Sequence, residues 1–252
     1  YAWGYNYYGQ LGNNTTSNSY YPVRVQKATN IIQIDSALEY LVMLSSDGSV
    51  WSVGYNGYGQ FGVNDTSNYR IPVQMLGTDG KILYGVKEIS TSRYHTMILK
   101  EDNTVYTVGY NSYGELGIGS TSYTKTITQV RDSSGRYISD AKHIYATGFS
   151  SYITRKDTEN GNGQGMYVAG LNNYNQLFTG NTTQYKTFTQ TKNNSNILLV
   201  AGTENGTNQT GLYATKDGSV YTIGYNAYSS IGKEVRGNQN KEVCISTGKV
   251  NL

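Results

Sequence analysis

Apolar and polar positions along this chain of 252 residues come in short bursts, each closed by Gly, Asn or Asp. One set is "VKEIS" from Val86, "TMIL" from Thr96, "VYTVG" from Val105 and "TITQV" from Thr126. Runs this short, rich in β-branched and aromatic residues, predict strands over 86–90, 96–99, 105–109 and 126–130. A turn at "KEDN" separates the second from the third, and "SDGS" from Ser46 and "KDGS" from Lys216 read as tight Asp-Gly hairpins. Nowhere do apolar residues recur every 3.6 positions, so almost no helix is predicted.

The four-strand set repeats. Gly4, Gly54, Gly109, Gly170 and Gly224 open the phrases "GYNYYGQLG", "GYNGYGQFG", "GYNSYGELG", "GLNNYNQLF" and "GYNAYSSIG", at intervals of 50 to 61 residues. A β-rich unit with a period near 50 predicts a β-propeller of four-stranded antiparallel blades. A blade alone cannot bury both faces, so the core must form between blades. Units starting near residues 1, 31, 86, 141 and 197 make a single arc over 1–252 of about four and a half blades. The first begins at its third strand, so an incomplete ring is expected, part of a longer chain or completed by another. Open edge blades would invite self-association.

Within the phrase, structural roles are expected. Gly54 and Gly109 end a buried strand close to its neighbour. Gly59 and Gly114 suit positive φ. Asn56 and Asn111 would fix the turn through backbone bonds, and Phe61 and Leu116 would plug the gap between blades.

"VYTVGYNSYGELGIGSTS" from Val105, preceded by "ISTSRYHTMIL" from Ile89, resembles the regulator of chromosome condensation repeat. Trp3 sits in that repeat's Trp-Gly slot, replaced by Val53, Val108, Ala169 and Ile223. His95 fills its His slot once; Tyr40, Ser150 and Thr210 stand there otherwise. Pro22 and Pro72 match the family's Pro after the long turn. The resemblance covers essentially the whole chain and implies a propeller, seven-bladed in most members. Such proteins include exchange factors for a nuclear GTPase, ubiquitin-ligase domains, a plant light sensor and bacterial β-lactamase inhibitors. The shared theme is a rigid disc whose loops grip a macromolecule, so the resemblance leaves the function open.

Charge changes the picture little. The formal net charge is +3 with scattered basic residues, whereas a nucleic-acid groove shows a basic stripe. No run approaches the roughly 18 apolar residues of a membrane helix, and the lone Cys244 has no internal disulfide partner. Tyr dominates the aromatics, 26 against two Trp and four Phe. With abundant Gly, Asn, Ser and Thr, that composition suggests an extracellular or cell-surface protein of a bacterium.

Candidate chemistry is sparse. His95 lies in a repeat slot that favours the core, and His143 just precedes the strand from Ile144. Zinc spacing and a calcium loop are missing, and the Gly-rich turns lack the Lys of a phosphate loop. No catalytic residue, metal or cofactor is therefore expected. Function is sought in two loop families. Loops before the His slot nominate Leu38, Glu39, Arg93, Tyr94, Gly148, Phe149, Asn205 and Asn208 as contacts for a protein partner, with Tyr94 and Phe149 as anchors. The recurrent turns nominate Tyr8, Tyr58, Tyr113 and Tyr228, either as packing between blades or as a platform for carbohydrate. The first reading is a non-enzymatic protein-recognition module; a sugar-binding adhesin domain and a structural or self-assembling subunit stay open beside it. The Gly-rich insertion "DTENGNGQG" from Asp157 is expected to be a mobile loop, with a long hairpin as the alternative.

Overall fold

The computed structural model describes residues 1–155, 165–191, 196–203, 206–232 and 239–246. Strands β1 (Ala2–Gly4) and β2 (Ser19–Val23) form a two-stranded half-blade. Four complete blades follow, each an antiparallel meander. They are β3 (Ile31–Ser36), β4 (Tyr40–Ser45), β5 (Val50–Gly54), β6 (Tyr69–Gln74); β7 (Val86–Thr91), β8 (His95–Lys100), β9 (Val105–Gly109), β10 (Thr124–Gln129); β11 (Ala141–Thr147), β12 (Ser150–Arg155), β13 (Met166–Gly170), β14 (Tyr185–Gln190); and β15 (Ile197–Gly202), β16 (Thr210–Thr215), β17 (Val220–Gly224), β18 (Gln239–Ser246). Among the described residues there is no helix. The first strands β3, β7, β11 and β15 touch one another in succession, so they line the inside of the arc.

The core lies between blades, as the period predicts. In β8, Ile98 packs back against Val42, Leu44 and Phe61, while Met97 and Leu99 pack forward against Ile144 and Ile153. Both faces of the strand are therefore buried. This explains why "MIL" from Met97 is an unbroken apolar run instead of an alternating one. Tyr152, Phe178, Tyr213 and Ile223 build the next junction in the same way. Phe61 and Leu116 are both fully buried, as expected of plugs.

Polar side chains also cross each junction. Tyr40 donates its hydroxyl to the carbonyls of Ser92 (2.7 Å) and His95 (3.0 Å) in the following blade. His95 Nε2 lies 2.7 Å from Ser151 Oγ of the blade after, with Nδ1 2.8 Å from Ser92 Oγ. Ser150 Oγ donates to Gln209 Oε1 at 3.0 Å. Three different residues in the His slot thus perform one task. Each inner strand carries a bulge at its start, between Ile31/Gln33, Val86/Glu88, Ala141/His143 and Ile197/Leu199. A bulge re-aims the next side chain. Gln33 then makes a two-way bridge to Ile89, accepting from its N–H (3.0 Å) and donating to its carbonyl (2.8 Å). Glu88 accepts from Ile144 N–H at 2.9 Å and meets His143 Nδ1 at 3.1 Å. His143 therefore lies within β11, two residues from its start, and not before the strand.

The repeated phrase is a buried hub. Asn111 accepts from Leu116 N–H (2.9 Å) and donates to the carbonyls of Ser120 (3.0 Å) and Ser122 (2.9 Å). Asn6 and Asn172 repeat the pattern; Asn56 accepts from Phe61 N–H and donates to Asp65. The glycine at the strand end is required sterically. Gly109 has φ +119°, and a Cβ there would sit 2.6 Å from the Tyr94 carbonyl oxygen. In the hairpins, Asn103 takes with positive φ the place held by Gly48 and Gly218. The fourth strand of the third unit, β10, starts two residues earlier than predicted. The insertion from Asp157 falls largely outside the described residues.

Asn111→Ala leaves one buried donor and two carbonyls without their partner. We expect a loss on the order of 3 kcal/mol in urea unfolding, and a loss below about 1 kcal/mol would contradict the hub. Burial pushes the His95 imidazole down to about 3. The unfolded chain takes up a proton below about pH 6.5 while the native state refuses it, so this contribution is present above that pH and lost on acidification. Relative to His95→Gln, the wild type should lose stability from about pH 6.5 downward, seen as a steeper fall in Tm.

Candidate functional site

Antiparallel pairing brings the two loop families to one end of every blade. His95 pairs with Gly109, so Tyr94, just before β8, lies beside Tyr110, just after β9. Tyr110 N–H donates to the Tyr94 carbonyl at 3.0 Å. The same holds for Tyr55 and Glu39, Leu171 and Phe149, and Tyr225 and Gln209. The "KEDN" turn between β8 and β9 lies at the opposite end.

On this rim the rings join into a strip. Tyr5, Tyr7 and Tyr8 succeed one another, and Tyr8 meets Tyr55 edge-on at 4.9 Å. Tyr55 meets Tyr58, which contacts both Tyr94 and Tyr110, at 5.8 and 5.1 Å. Tyr94 stacks on Phe149 at 4.4 Å with an interplanar angle of 13°, and Tyr113 closes on the same Phe149. A second run joins Tyr174, Tyr225 and Tyr228. The second Tyr of one turn thus touches the first Tyr of the next turn. At the third junction that first Tyr is Leu171, and Phe149 supplies the ring instead.

The nominated residues divide. Tyr94 is half-buried in the strip, with the Arg93 guanidinium 5.5 Å from its ring centre. Arg93 also pairs with Glu39 at 3.5 Å, a contact that joins neighbouring blades. Phe149, nominated as an anchor, is only 8% exposed and stacks on Tyr94, so most of its ring is given to packing. Gly148 is buried, and a Cβ there would strike Gln209 Nε2, so close approach to the next blade dictates the glycine. Asn208 is exposed and accepts from Tyr174 OH at 3.2 Å. Asn205 lies outside the described residues. Leu38 is exposed and makes no ring contact of the strip. It lines an apolar groove of about 630 Å³ between the half-blade and β3–β4, together with Trp3, Ile34 and Met43.

Tyr8, Tyr58 and Tyr113 are half-buried with their rings engaged by neighbouring rings, whereas Tyr228 is 88% exposed. Tyr5 and Tyr7, at 55% and 65% exposure, also offer open rings, and the sequence reading did not single out Tyr7. Its position beside the recurrent Tyr8 was the available signal. Burial raises the proton affinity of the Tyr8, Tyr55 and Tyr94 hydroxyls, so these stay neutral at physiological pH. Among the described residues no three His, Cys, Asp or Glu side chains gather as a metal site, and no helix is long and apolar enough to cross a membrane. The His95–Ser pairs are sealed in the core and offer no surface to a substrate.

Comparison with known proteins fits this architecture. Models of the regulator of chromosome condensation (RCC1) repeat match residues 1–44 and 47–99, and a second model of that repeat matches 86–115. The ultraviolet-B receptor UVR8 of Arabidopsis thaliana is 25% identical over 236 residues, covering 92% of this chain and 50% of the receptor. The X-linked retinitis pigmentosa GTPase regulator of Mus musculus is 29% identical over 157 residues, 62% of this chain and 14% of that protein. The chain thus spans half or less of the curated relatives' length. Prp20p of Saccharomyces cerevisiae superposes with a TM-score of 0.74 at 16% identity, over 93% of this chain and 55% of that one. Human WBSCR16 gives 0.72 at 17% identity, over 96% and 61%. These likenesses show the fold, and the repeat matches over 1–44, 47–99 and 86–115 support the regulator of chromosome condensation (RCC1) repeat family.

Proposed function

We propose that this chain is a non-enzymatic recognition module that binds a protein through the aromatic strip on one rim of the propeller. The observation that carries the reading is the convergence of both loop families into one continuous row of rings, from Tyr5 to Phe149, across three blade junctions. Large, rigid rings with a hydroxyl at the tip give contact area at low entropic cost. The rim mixes them with one ion pair, Glu39–Arg93, which fixes orientation more than affinity. Relatives support a regulatory or binding role: the mouse protein is named a GTPase regulator, and Prp20p is described by its binding to Gsp1p and histones.

Carbohydrate is the weaker reading. A sugar stacks on an open ring face, yet Tyr8, Tyr58 and Tyr113 spend much of theirs on neighbouring rings. A protein surface can use ring edges and hydroxyls as they stand.

The test uses a photoreactive phenylalanine placed at Tyr7, Tyr58 or Tyr228, with Asp102 on the opposite rim as control. We expect a cross-linked partner protein from the strip positions alone, weakened at least tenfold by Tyr94→Ala. Equal cross-linking from Asp102 would reject the assignment. Phe149→Ala should instead cost about 3 kcal/mol of stability, because it empties a buried ring site; a neutral Phe149→Ala would contradict its supporting role.

A further inference from the structure

The five turns share a slot filled by Gln10, Gln60, Glu115, Gln176 and Ser230. Its side-chain oxygen accepts the N–H two residues earlier, from Tyr8 (3.0 Å), Tyr58 (3.0 Å), Tyr113 (2.9 Å) and Tyr174 (2.9 Å). Its donor side serves the carbonyl of the turn's leading residue: Gln60 Nε2 donates to Tyr55 O at 3.0 Å, and Ser230 Oγ to Tyr225 O at 2.6 Å. In the first and fourth turns the amide nitrogen is buried without such an acceptor. The third turn alone places a carboxyl here. Glu115 is fully buried, its Oε2 takes the Tyr113 N–H, and its Oε1 is buried without a hydrogen-bond partner. By repeat equivalence Oε1 stands where Gln60 holds Nε2, toward the Tyr110 carbonyl. A carboxylate would set two acceptors against each other in a dry site, a costly arrangement.

We propose that Glu115 is a proton-operated latch on the aromatic strip: as the neutral acid it donates Oε1–H to the Tyr110 carbonyl while accepting the Tyr113 N–H, and release of that proton to solvent loosens the turn. The latch regulates the surface proposed above and rests on that reading. It holds the two rings that matter most at the third junction, because Tyr110 contacts Tyr58, Tyr94 and Phe149, and Tyr113 contacts Phe149. The titratable groups of its own turn are the Tyr110 and Tyr113 phenols. From the next blade, Gly170 packs against the Glu115 Cα, and β14 lays Tyr185 and Lys186 against Gly114 beside it, Lys186 being the charged group among them. Burial pushes the Glu115 carboxyl up to about 7, against the opposing pull of the N–H groups of Glu115, Tyr113 and Gly114.

The sign follows. Between about pH 4.5, where the unfolded chain releases this proton, and about pH 7, the native state keeps it, so stability falls as pH rises and levels off above. His95 slopes the other way, and comparison with Glu115→Gln cancels it. The experiment is a ¹³C-carboxyl NMR titration with parallel urea unfolding of wild type and Glu115→Gln from pH 5 to 8.5. We expect one carboxyl titrating near 7 that vanishes in the variant, with the Tyr110 and Tyr113 amide shifts following the same midpoint. The wild-type unfolding constant should rise against the variant by about tenfold per pH unit up to pH 7. A Glu115 carboxyl titrating near the ordinary 4.5, or the same pH dependence in Glu115→Gln, overturns the latch. Neither readout needs a partner. A Glu115 titration near 7 with failed strip cross-linking would therefore remove only the contact-surface reading, and an ordinary titration near 4.5 with successful cross-linking only the latch.

Discussion

Every feature of this chain answers to one constraint: the middle strands of a blade bury both faces, so each blade requires a neighbour on either side. A single blade exposes Val42 and Leu44 on one face and Leu41 and Met43 on the other. Stacking turns those faces into core. The apolar contacts drive the stacking without setting its angle, because burial is not directional. The angle is set by the polar crossings. Tyr40, His95 and Ser150 each reach one blade forward, and Gln33 and Glu88 hold the next inner strand from their bulges. A buried hydrogen bond tolerates little displacement, so these groups index the blades.

The aromatic strip follows from the same constraint. Turns that must meet the neighbouring turn present a large ring at the meeting point, and Tyr does so while keeping its hydroxyl wet. Packing at these residues is therefore compatible with the contact role proposed for them. Tyr58 joins two blades and still lends an edge to the rim, whereas Phe149, with no polar tip, goes fully to packing. The loss of the leading Tyr at Leu171 shows the constraint acting: the junction keeps a ring there by drawing it from the other loop.

Much of this was legible in the sequence. The 50-residue period, the strand set, the buried Asn and the positive-φ glycines are local signals, repeated five times. The unity of the site was legible too, because an antiparallel pair puts the loop before its first strand beside the loop after its second. Tyr94 and Tyr110 had to be neighbours once β8 and β9 were paired. Other properties were not legible. Whether Tyr94 or Phe149 lies on top depends on the angle between blades. Gln33 and Glu88 look like ordinary polar residues of an alternating strand until the bulge turns them onto the next blade. Glu115 differs from Gln10, Gln60 and Gln176 only by an oxygen in place of the amide nitrogen, and only its burial makes that difference matter.

The inner-strand crossings also change along the arc. Following the bulge, the paired positions read Gln33 and Asp35, then Glu88 and Ser90, then His143 and Tyr145, then Leu199 and Ala201. The first two pairs hold two backbone N–H groups each in the next blade: Ile89 and Thr91, then Ile144 and Ala146. From the third pair, Tyr145 reaches the Leu198 carbonyl at 3.4 Å. In a stacked array, stability is a sum of unit and nearest-neighbour contributions. The junctions with the most polar crossings, between the second and fourth units, are also those over which the densest part of the strip lies, from Tyr58 to Phe149. The junctions with most polar crossings therefore lie under the surface proposed for partner contact, and a rigid contact face forfeits less entropy on binding.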